Sequence, residues 1–294
     1  MATRMQKIQQ WLRSSLVTAA ALVTLTVSAQ PTMDDVEIKA TQVSERVFML
    51  TGAGGNIGVY VGDNGVAMVD AQYAALTDKI AAAISEISDK PLQLLVNTHY
   101  HRDHVDGNAG FVERGAKVVA HENVLSRLQA DAEFNTTGLP TITFDNELVL
   151  KIGGDSQLFM RHYATGHTDG DAVIWFGDEN VIHAGDMFFV DRFPFIDLNS
   201  GGNVQGFIDN VSAVIAELDD ETKIIPGHGP LSTKQDWQRL VSMVIITREE
   251  VRLMQTEGLS ADEIVERGLS DQWDSWTWGF ITEERWIRTL LQEL

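Results

Sequence analysis

The sequence predicts an α/β protein, a four-layer αββα sandwich, and three observations carry the prediction. Short β-like segments alternate with helix-like ones along most of the chain. That rhythm of strands flanked by helices occurs twice. One run, "LQLLVNT" (92–98), is apolar without interruption over a strand's length, as expected of a strand covered on both faces. Two such halves bury their apolar faces by packing sheet on sheet with helices outside.

The first 29 residues stand apart from this pattern. Arg4, Lys7 and Arg13 form a positive head, "LVTAAALVTLTV" an apolar stretch of 12 residues, and "VSA" (27–29) places small residues around a cleavage point after Ala29. That is the form of a secretory signal peptide. The apolar stretch falls short of the roughly 20 residues a spanning helix needs, so no stable membrane anchoring is expected once it is removed. Residues 30–294 are expected to form a single periplasmic or secreted domain, with a C-terminal helical extension from about residue 231.

Within that domain "RVFMLTG", "IGVYVGD" and "GVAMVDA" read as strands, the last two joined by the hairpin signal "DNG" (63–65). Leu76, Ile80, Ile84 and Ile87 repeat at helical spacing. After "LQLLVNT" come helical "VDGNAGFVERG" and strand "AKVVAH". The second half supplies strands "SQLFMRHYA", "DAVIWFGD" and "NVIHAGD", a helix over 204–218, and "TKIIPGHG" as a strand running into a loop. Capping boxes are expected at Ser232–Gln235 and Ser260–Glu263, the second opening a short helix that stops at Gly268. "WTWGFITEERWIRTLLQEL" closes the chain as an amphipathic helix with an aromatic lead-in.

Composition excludes several classes of function. With the signal removed, 19 basic residues face 42 acidic ones, a formal charge of −23, which repels phosphate backbones and argues against nucleic acid as a partner. The chain has no cysteine, so disulfides, thiolate metal ligands, iron–sulfur clusters and cysteine catalysis are all ruled out. A small-molecule substrate is the expected partner, and nothing in the sequence sets an oligomeric state.

The stretch "NTHYHRDHVDGN" (97–108) gathers three of the chain's eight histidines within six residues, at the end of the buried strand 92–98. Strand ends on α/β sheets deliver loop side chains to a fixed point, and neutral imidazole nitrogens are common donors to transition metals. His99 and His101, two apart, converge on one cation if the backbone stays extended; Asp103 and His104 follow. His167 in "TGHTDGD", Asp186 in "HAGDMFF" and His228 in "PGHGP" each end a predicted strand beside a glycine that allows close backbone approach. Seven nitrogen and oxygen donors exceed what one tetrahedral ion takes but suit two Zn2+ per chain, with Mn2+ or Fe2+ as alternatives.

"THYHRDH" matches the H-x-H-x-D-H signature of the metallo-β-lactamase fold superfamily, and the later His, Asp and His occur in that family's order. The resemblance covers about residues 45–230. It implies an αββα sandwich with a dinuclear centre at one edge. By position, His99, His101 and His167 resemble the first metal's ligands, Asp103, His104 and His228 the second's, and Asp186 the carboxylate bridging both. β-Lactamases of this fold carry cysteine or serine at the Asp186 position, whereas an aspartate is more like the glyoxalase II, lactonase and phosphodiesterase branches.

The resemblance thus implies an exported, zinc-dependent hydrolase. Its two cations, about 3.5–4 Å apart, would share a water and bring its pKa from about 15.7 towards 7, and the bridging hydroxide would attack a carbonyl carbon. Asp103 is the natural group to orient that hydroxide and shuttle its proton. Export places a β-lactam-type amide narrowly first as the expected substrate; the aspartate favours the alternative, a lactone, ester or thioester. A mononuclear-iron oxidoreductase like the persulfide dioxygenases, or a non-enzymatic metal store, uses the same donors differently. Asp70 ends the strand "VAMVD", where it either accepts a hydrogen bond from a ligand histidine or caps a turn. His121, His162 and His183 are expected outside the centre. The segment 187–203 is expected to wall the substrate cleft, with Asn199 and Ser200 offering hydrogen bonds, or else its Phe188, Phe193 and Phe195 pack in the core. Trp273, Trp276, Trp278 and Trp286 are expected to pin the C-terminal helix.

Overall fold

The computed structural model describes residues 32–294 except Asp178; the expected signal peptide lies outside them. The first half builds β1 (Lys39–Gln42), β2 (Val47–Thr51), β3 (Ile57–Val61), β4 (Val66–Val69), α1 (Thr77–Ile87) and β5 (Leu92–Val96). It continues with α2 (Arg102–Val105), α3 (Asn108–Val112), β6 (Lys117–His121), α4 (Glu122–Ala130) and β7 (Ile142–Phe144). The second half contains β8 (Glu147–Lys151), β9 (Gln157–His162), β10 (Ala172–Trp175), β11 (Val181–Phe189), α5 (Val204–Glu217), β12 (Lys223–His228) and β13 (Ser232–Thr233). Helices α6 (Lys234–Thr256), α7 (Ala261–Arg267) and α8 (Glu283–Glu293) close the chain.

Strands β1 to β7 form one sheet in chain order, and β13-β12-β11-β10-β9-β8 form the other. Central strands bury both faces, and successive residues serve different layers. Leu94 and Val96 of β5, with Ala67 and Val69 of β4, point between the sheets, where they meet Met160, Ile174 and Ile225 of the second. Leu95, Val66 and Met68 point outward onto Ile80 and Ile84 of α1 and Phe111 of α3. On the far side, Val173, Ile182 and Ile224 carry α5, α6 and α8. The four layers are therefore α/β/β/α, as the sequence predicts.

The structure departs from the sequence expectations in four places. Strands β1 and β8 are edges whose residues are exposed or alternate, so they leave no apolar run to read. The box opening α6 is Thr233–Asp236, one residue beyond the expected Ser232–Gln235, because Ser232 is spent in β13 and its hydroxyl bonds Pro230 O at 2.9 Å. Residues 277–282 are not helical, and Trp276 ends a separate 3-10 turn; α8 starts after Thr282, whose hydroxyl accepts from Arg285 N. The helix expected over 105–115 is broken into α2 and α3 around Gly107, where a Cβ would lie 2.3 Å from Ala71 O. No helix among the described residues is long and apolar enough to cross a membrane.

Candidate metal centre

The donors sit where strands of both sheets end. Beyond β5 the chain bends at Thr98 and His99 and is extended again at His101, the N-cap of α2 (φ −63°, ψ 143°), and α2 then turns Asp103 and His104 back towards the same point. His167 lies in the turn between β9 and β10. Asp186 lies on β11 at a break in its parallel register with β12, next to Gly185 at φ +51°. A bulge of this kind re-aims a side chain. Gly227 on β12 completes the space, since a Cβ there would lie 2.0 Å from Asp186 Oδ1. Asn56, before β3, donates to Pro226 O at 2.9 Å and Gly229 O at 2.8 Å and so holds the turn that carries His228.

These elements bring all seven sequence-predicted donors together in two groups: His99, His101, His167 and Asp186, and Asp103, His104 and His228. Asp186 stands between them. Its Oδ2 is 3.8 Å from His99 Nε2, 3.6 Å from His167 Nε2 and 3.4 Å from His228 Nε2, and its Oδ1 is 3.1 Å from His104 Nε2. Asp103 Oδ2 is 3.3 Å from His228 Nε2 and 3.6 Å from His104 Nε2.

The outward ring nitrogens are committed elsewhere, which assigns the tautomers. His104 Nδ1 donates to Asp70 Oδ2 at 2.7 Å, and His167 Nδ1 to Phe195 O at 2.6 Å. Thr98 donates its hydroxyl to Asp70 Oδ2 at 2.7 Å and so accepts from His99 Nδ1 at 3.0 Å. His101 Nε2 donates to Asp197 Oδ2 at 3.1 Å. That leaves each inward nitrogen as the one a metal can take, His104 Nε2 after it gives up the proton that the surrounding carboxylates favour. His101 Nδ1 and His167 Nε2 face each other at 2.9 Å as two acceptors, an arrangement that needs positive charge between or beside them. His99 Nε2, His104 Nε2 and Asp186 Oδ1 are buried without a hydrogen-bond partner. Orphaned buried donors and acceptors are costly unless something binds them, so this set fits divalent cations.

Charge follows the same logic. Burial, reinforced by neighbouring imidazoles, drives His99 well below the ordinary histidine range and His167 down to about 3. Burial opposes ionisation of Asp186, yet His228, His104 and His99 outweigh it and hold the carboxyl well below its usual range. Burial would also lower His228, but Asp186 and Asp103 lift it to about 9. His104 is pushed up against burial by Asp186, Asp103 and Asp70. Ionised carboxylates and neutral imidazoles are the forms that hold a metal, and a cation arriving here must displace the protons of His104 and His228.

Asp70 is fully buried at φ +64° and receives three hydrogen bonds, from His104, Thr98 Oγ1 and, at 2.8 Å, Thr98 N. Asn199 and Ser200 are not where the sequence reading put them, and their expected role in the cleft is corrected. Ser200 is buried beneath the centre, 2.7 Å from Tyr100 OH, and Asn199 faces a separate depression beside α8. The cleft, about 430 Å3, is instead bounded on its apolar side by Tyr73, Phe189, Phe195, Trp278 and Phe280. The aromatic segment therefore divides: Phe188 and Phe193 pack in the core while Phe189 and Phe195 face the centre. Trp273, Trp276 and Trp286 are core residues, and Trp278 is a cleft residue. His121 and His162 stack on each other at 3.7 Å, and His183 bonds Asn56 O at 3.0 Å, all outside the two groups. Asp197, Tyr100 and Asn56 were not singled out from the sequence; each is an ordinary polar residue whose partner lies far along the chain.

Residues 50–228 match the family profile of the metallo-beta-lactamase superfamily. The chain belongs to that superfamily. It is a metal-dependent hydrolase of this family by its relatives as well. It is 30% identical over 173 residues to a probable metallo-hydrolase, YqgX, of Bacillus subtilis, covering 54% of this chain and 79% of that one. It is 25% identical over 148 residues to a hydroxyacylglutathione hydrolase of a Polaromonas species, covering 50% and 52% of the two chains. Among solved superfamily structures, a metallo-beta-lactamase from Pontibacter korlensis superposes with a TM-score of 0.62 at 18% identity over 71% of this chain and 99% of that one, a likeness of fold.

Proposed function

We propose that this superfamily member is a two-metal hydrolase, zinc-loaded in its native state, that cleaves an ester-type carbonyl substrate: a lactone, ester or thioester. The observation that carries the reading is the Asp186 carboxylate, which reaches the donors of both groups at 3.1–3.8 Å. His99, His101 and His167 would hold one cation, Asp103, His104 and His228 the other, and Asp186 both. Cations held there supply Lewis acidity towards a carbonyl oxygen and acidify a water towards neutral pH.

The chain's own residues do the rest. Asp103 lines the cleft, and His104 and His228 outweigh burial to keep it ionised, so it can orient the attacking water and accept its proton. Asp70 and Asp197 fix which imidazole nitrogen faces inward. The aromatic wall limits water around the scissile bond.

Two features bear on the substrate. An aspartate at position 186 resembles the ester- and thioester-cleaving branches. No lysine or arginine lines the cleft to receive the carboxylate that a β-lactam carries. A β-lactam amide is the second reading, supported by 22% identity over 207 residues to a type 2 metallo-beta-lactamase of a Bacillus species. The convergence of Asp103, His104 and His228 into a second group speaks against a mononuclear iron oxidoreductase.

Metal analysis and a substrate panel test this. Two zinc ions per chain, lactone or thioester turnover and a flat nitrocefin trace are expected. Nitrocefin cleavage without ester cleavage transfers the substrate to amides, and one iron per chain with oxygen consumption refutes the hydrolytic reading. Asp186→Ala should lose metal and turnover together; full metal content and full turnover in that variant would refute the shared role.

A further inference from the structure

The cleft has two unlike sides. His101, Asp103, Asp186 and His228 form the polar side, and Phe195, Trp278 and Phe280 dominate the other. Trp278 and Phe280 lie about fifty residues beyond the end of the superfamily match, so two of the wall's three main rings come from this chain's own C-terminal segment.

That wall is held firmly. Trp278 donates its indole N–H to Phe193 O at 2.9 Å and its backbone N–H to Ile281 O at 3.1 Å. Its ring lies 5.6 Å from that of Phe280, which meets Phe195 edge-on at 5.2 Å. Arg285 places its guanidinium 4.2 Å from the centre of the Phe280 ring and donates to Phe280 O at 2.8 Å. Phe280 nevertheless remains 48% exposed. A large aromatic ring kept in water by dedicated contacts, at the mouth of a cleft lined by four of the seven metal donors, is poised to be covered by a ligand.

The charges say what kind. Arg192 lies 5.2 Å from the Trp278 ring and Arg285 lies over Phe280 and Phe195, so cations already occupy these π systems. Neither arginine lines the cleft, and among the described residues its only basic groups are the candidate ligands His101 and His228 on the opposite, polar side. The wall therefore disfavours a cationic group and offers an anionic one no partner.

We propose that Trp278, Phe280 and Phe195 form an acyl subsite that selects substrates with a neutral, apolar group attached to the scissile carbonyl. This rests on the hydrolytic reading for its substrate class, but the subsite itself can be read without turnover. Burying one methylene is expected to raise kcat/KM about three- to fourfold.

The test takes the metal-loaded full chain and p-nitrophenyl esters from acetate to hexanoate, with the leaving group constant. The wild type should gain about threefold or more per methylene. The double variant Trp278→Ala/Phe280→Ser, with the same metal content, should gain less than about 1.5-fold. An unchanged chain-length dependence overturns the subsite. Calorimetric binding of 2-butanone and 2-octanone, ketones that cannot be hydrolysed, separates the two ideas. If the wild type cleaves no ester yet prefers 2-octanone, and the double variant loses that preference, the subsite stands and the hydrolytic reading falls. Equal preference in both proteins, or no binding of 2-octanone to the wild type, overturns the subsite. The single variant Phe280→Ser, at an exposed position, serves if the double variant fails to fold.

Discussion

Asp197→Asn is the sharpest probe of how the centre is held. Asp197 Oδ2 accepts from His101 Nε2 at 3.1 Å and from Tyr100 OH at 2.7 Å, and among the seven donors its side chain bonds only His101. An asparagine keeps the shape and can place its amide oxygen at the Oδ2 position, but it removes the charge that strengthens both bonds. A hydrogen bond to a charged group contributes about 1.5–3 kcal/mol. The Asp197 side chain is 11% exposed, so solvent trims that range by about a tenth, to about 1.4–2.7 kcal/mol. At about 1.4 kcal/mol per tenfold, that is a 10- to 100-fold loss of affinity for one cation, the scale seen when groups supporting metal ligands are removed. The other cation, bound by Asp103, His104 and His228, should keep its affinity within about twofold. Competition with a chromophoric chelator reads both affinities, and the variant's titration should split into two phases. Asp70→Asn should behave differently, because Asp70 supports His104 directly and His99 through Thr98; both phases should weaken. If Asp197→Asn binds two cations as tightly as the wild type, or loses both equally, the assignment of His101 Nδ1 to one cation is wrong.

Three further outcomes are expected. In the metal-stripped protein His228 titrates near 9, above its unfolded value of about 6.5. Its contribution to the stability of that form is therefore complete below about pH 6.5 and lost as pH rises through 9, while zinc binding at pH 7 releases at least one proton per chain; calorimetry in buffers of different ionisation enthalpy would expose an absence of release. Trp286→Ala removes a fully buried ring that stacks on Phe193 at 5.8 Å and donates to Thr247 at 3.0 Å, and should lower stability by about 3–5 kcal/mol in urea unfolding, whereas a loss below about 1 kcal/mol would contradict its place in the core. The mature exported chain should begin at Gln30, and intact mass after expression in a secreting host checks this; a retained leader would remove the expectation of cleavage.

The donors of the centre were legible because each lies within a few residues of a strand end, four of them in one short cluster and the other three beside a glycine. His167, Asp186 and His228 carry their local context in "TGHTDG", "HAGD" and "PGHG". Asp197 lacked that context. It reaches His101 from 96 residues away, and nothing in "FIDLN" distinguishes it from a surface aspartate. Asn199 and Ser200 looked suited to a cleft because they are polar and follow aromatics, but Gly201 at φ +75° folds their turn under the sheet and sends Ser200 inward to Tyr100. The four C-terminal tryptophans were alike as letters; only packing separated Trp278, whose ring faces Phe189 and His228, from its three buried neighbours. Buried strands were read easily because both faces are apolar, and the edges β1 and β8 were missed for the opposite reason.

The two sheets contribute unequally to the centre: His99, His101, Asp103 and His104 follow a strand of the first, and His167, Asp186 and His228 come from the second. A cation held among them would rivet one sheet to the other across their common seam. In a chain that has no cysteine, this would be a reversible cross-link set by metal supply rather than by redox state. With free metal a thousandfold above its dissociation constant the rivet adds about 4.1 kcal/mol to the folded state. The melting temperature should therefore climb with free zinc, making the protein's heat resistance a gauge of the metal around it.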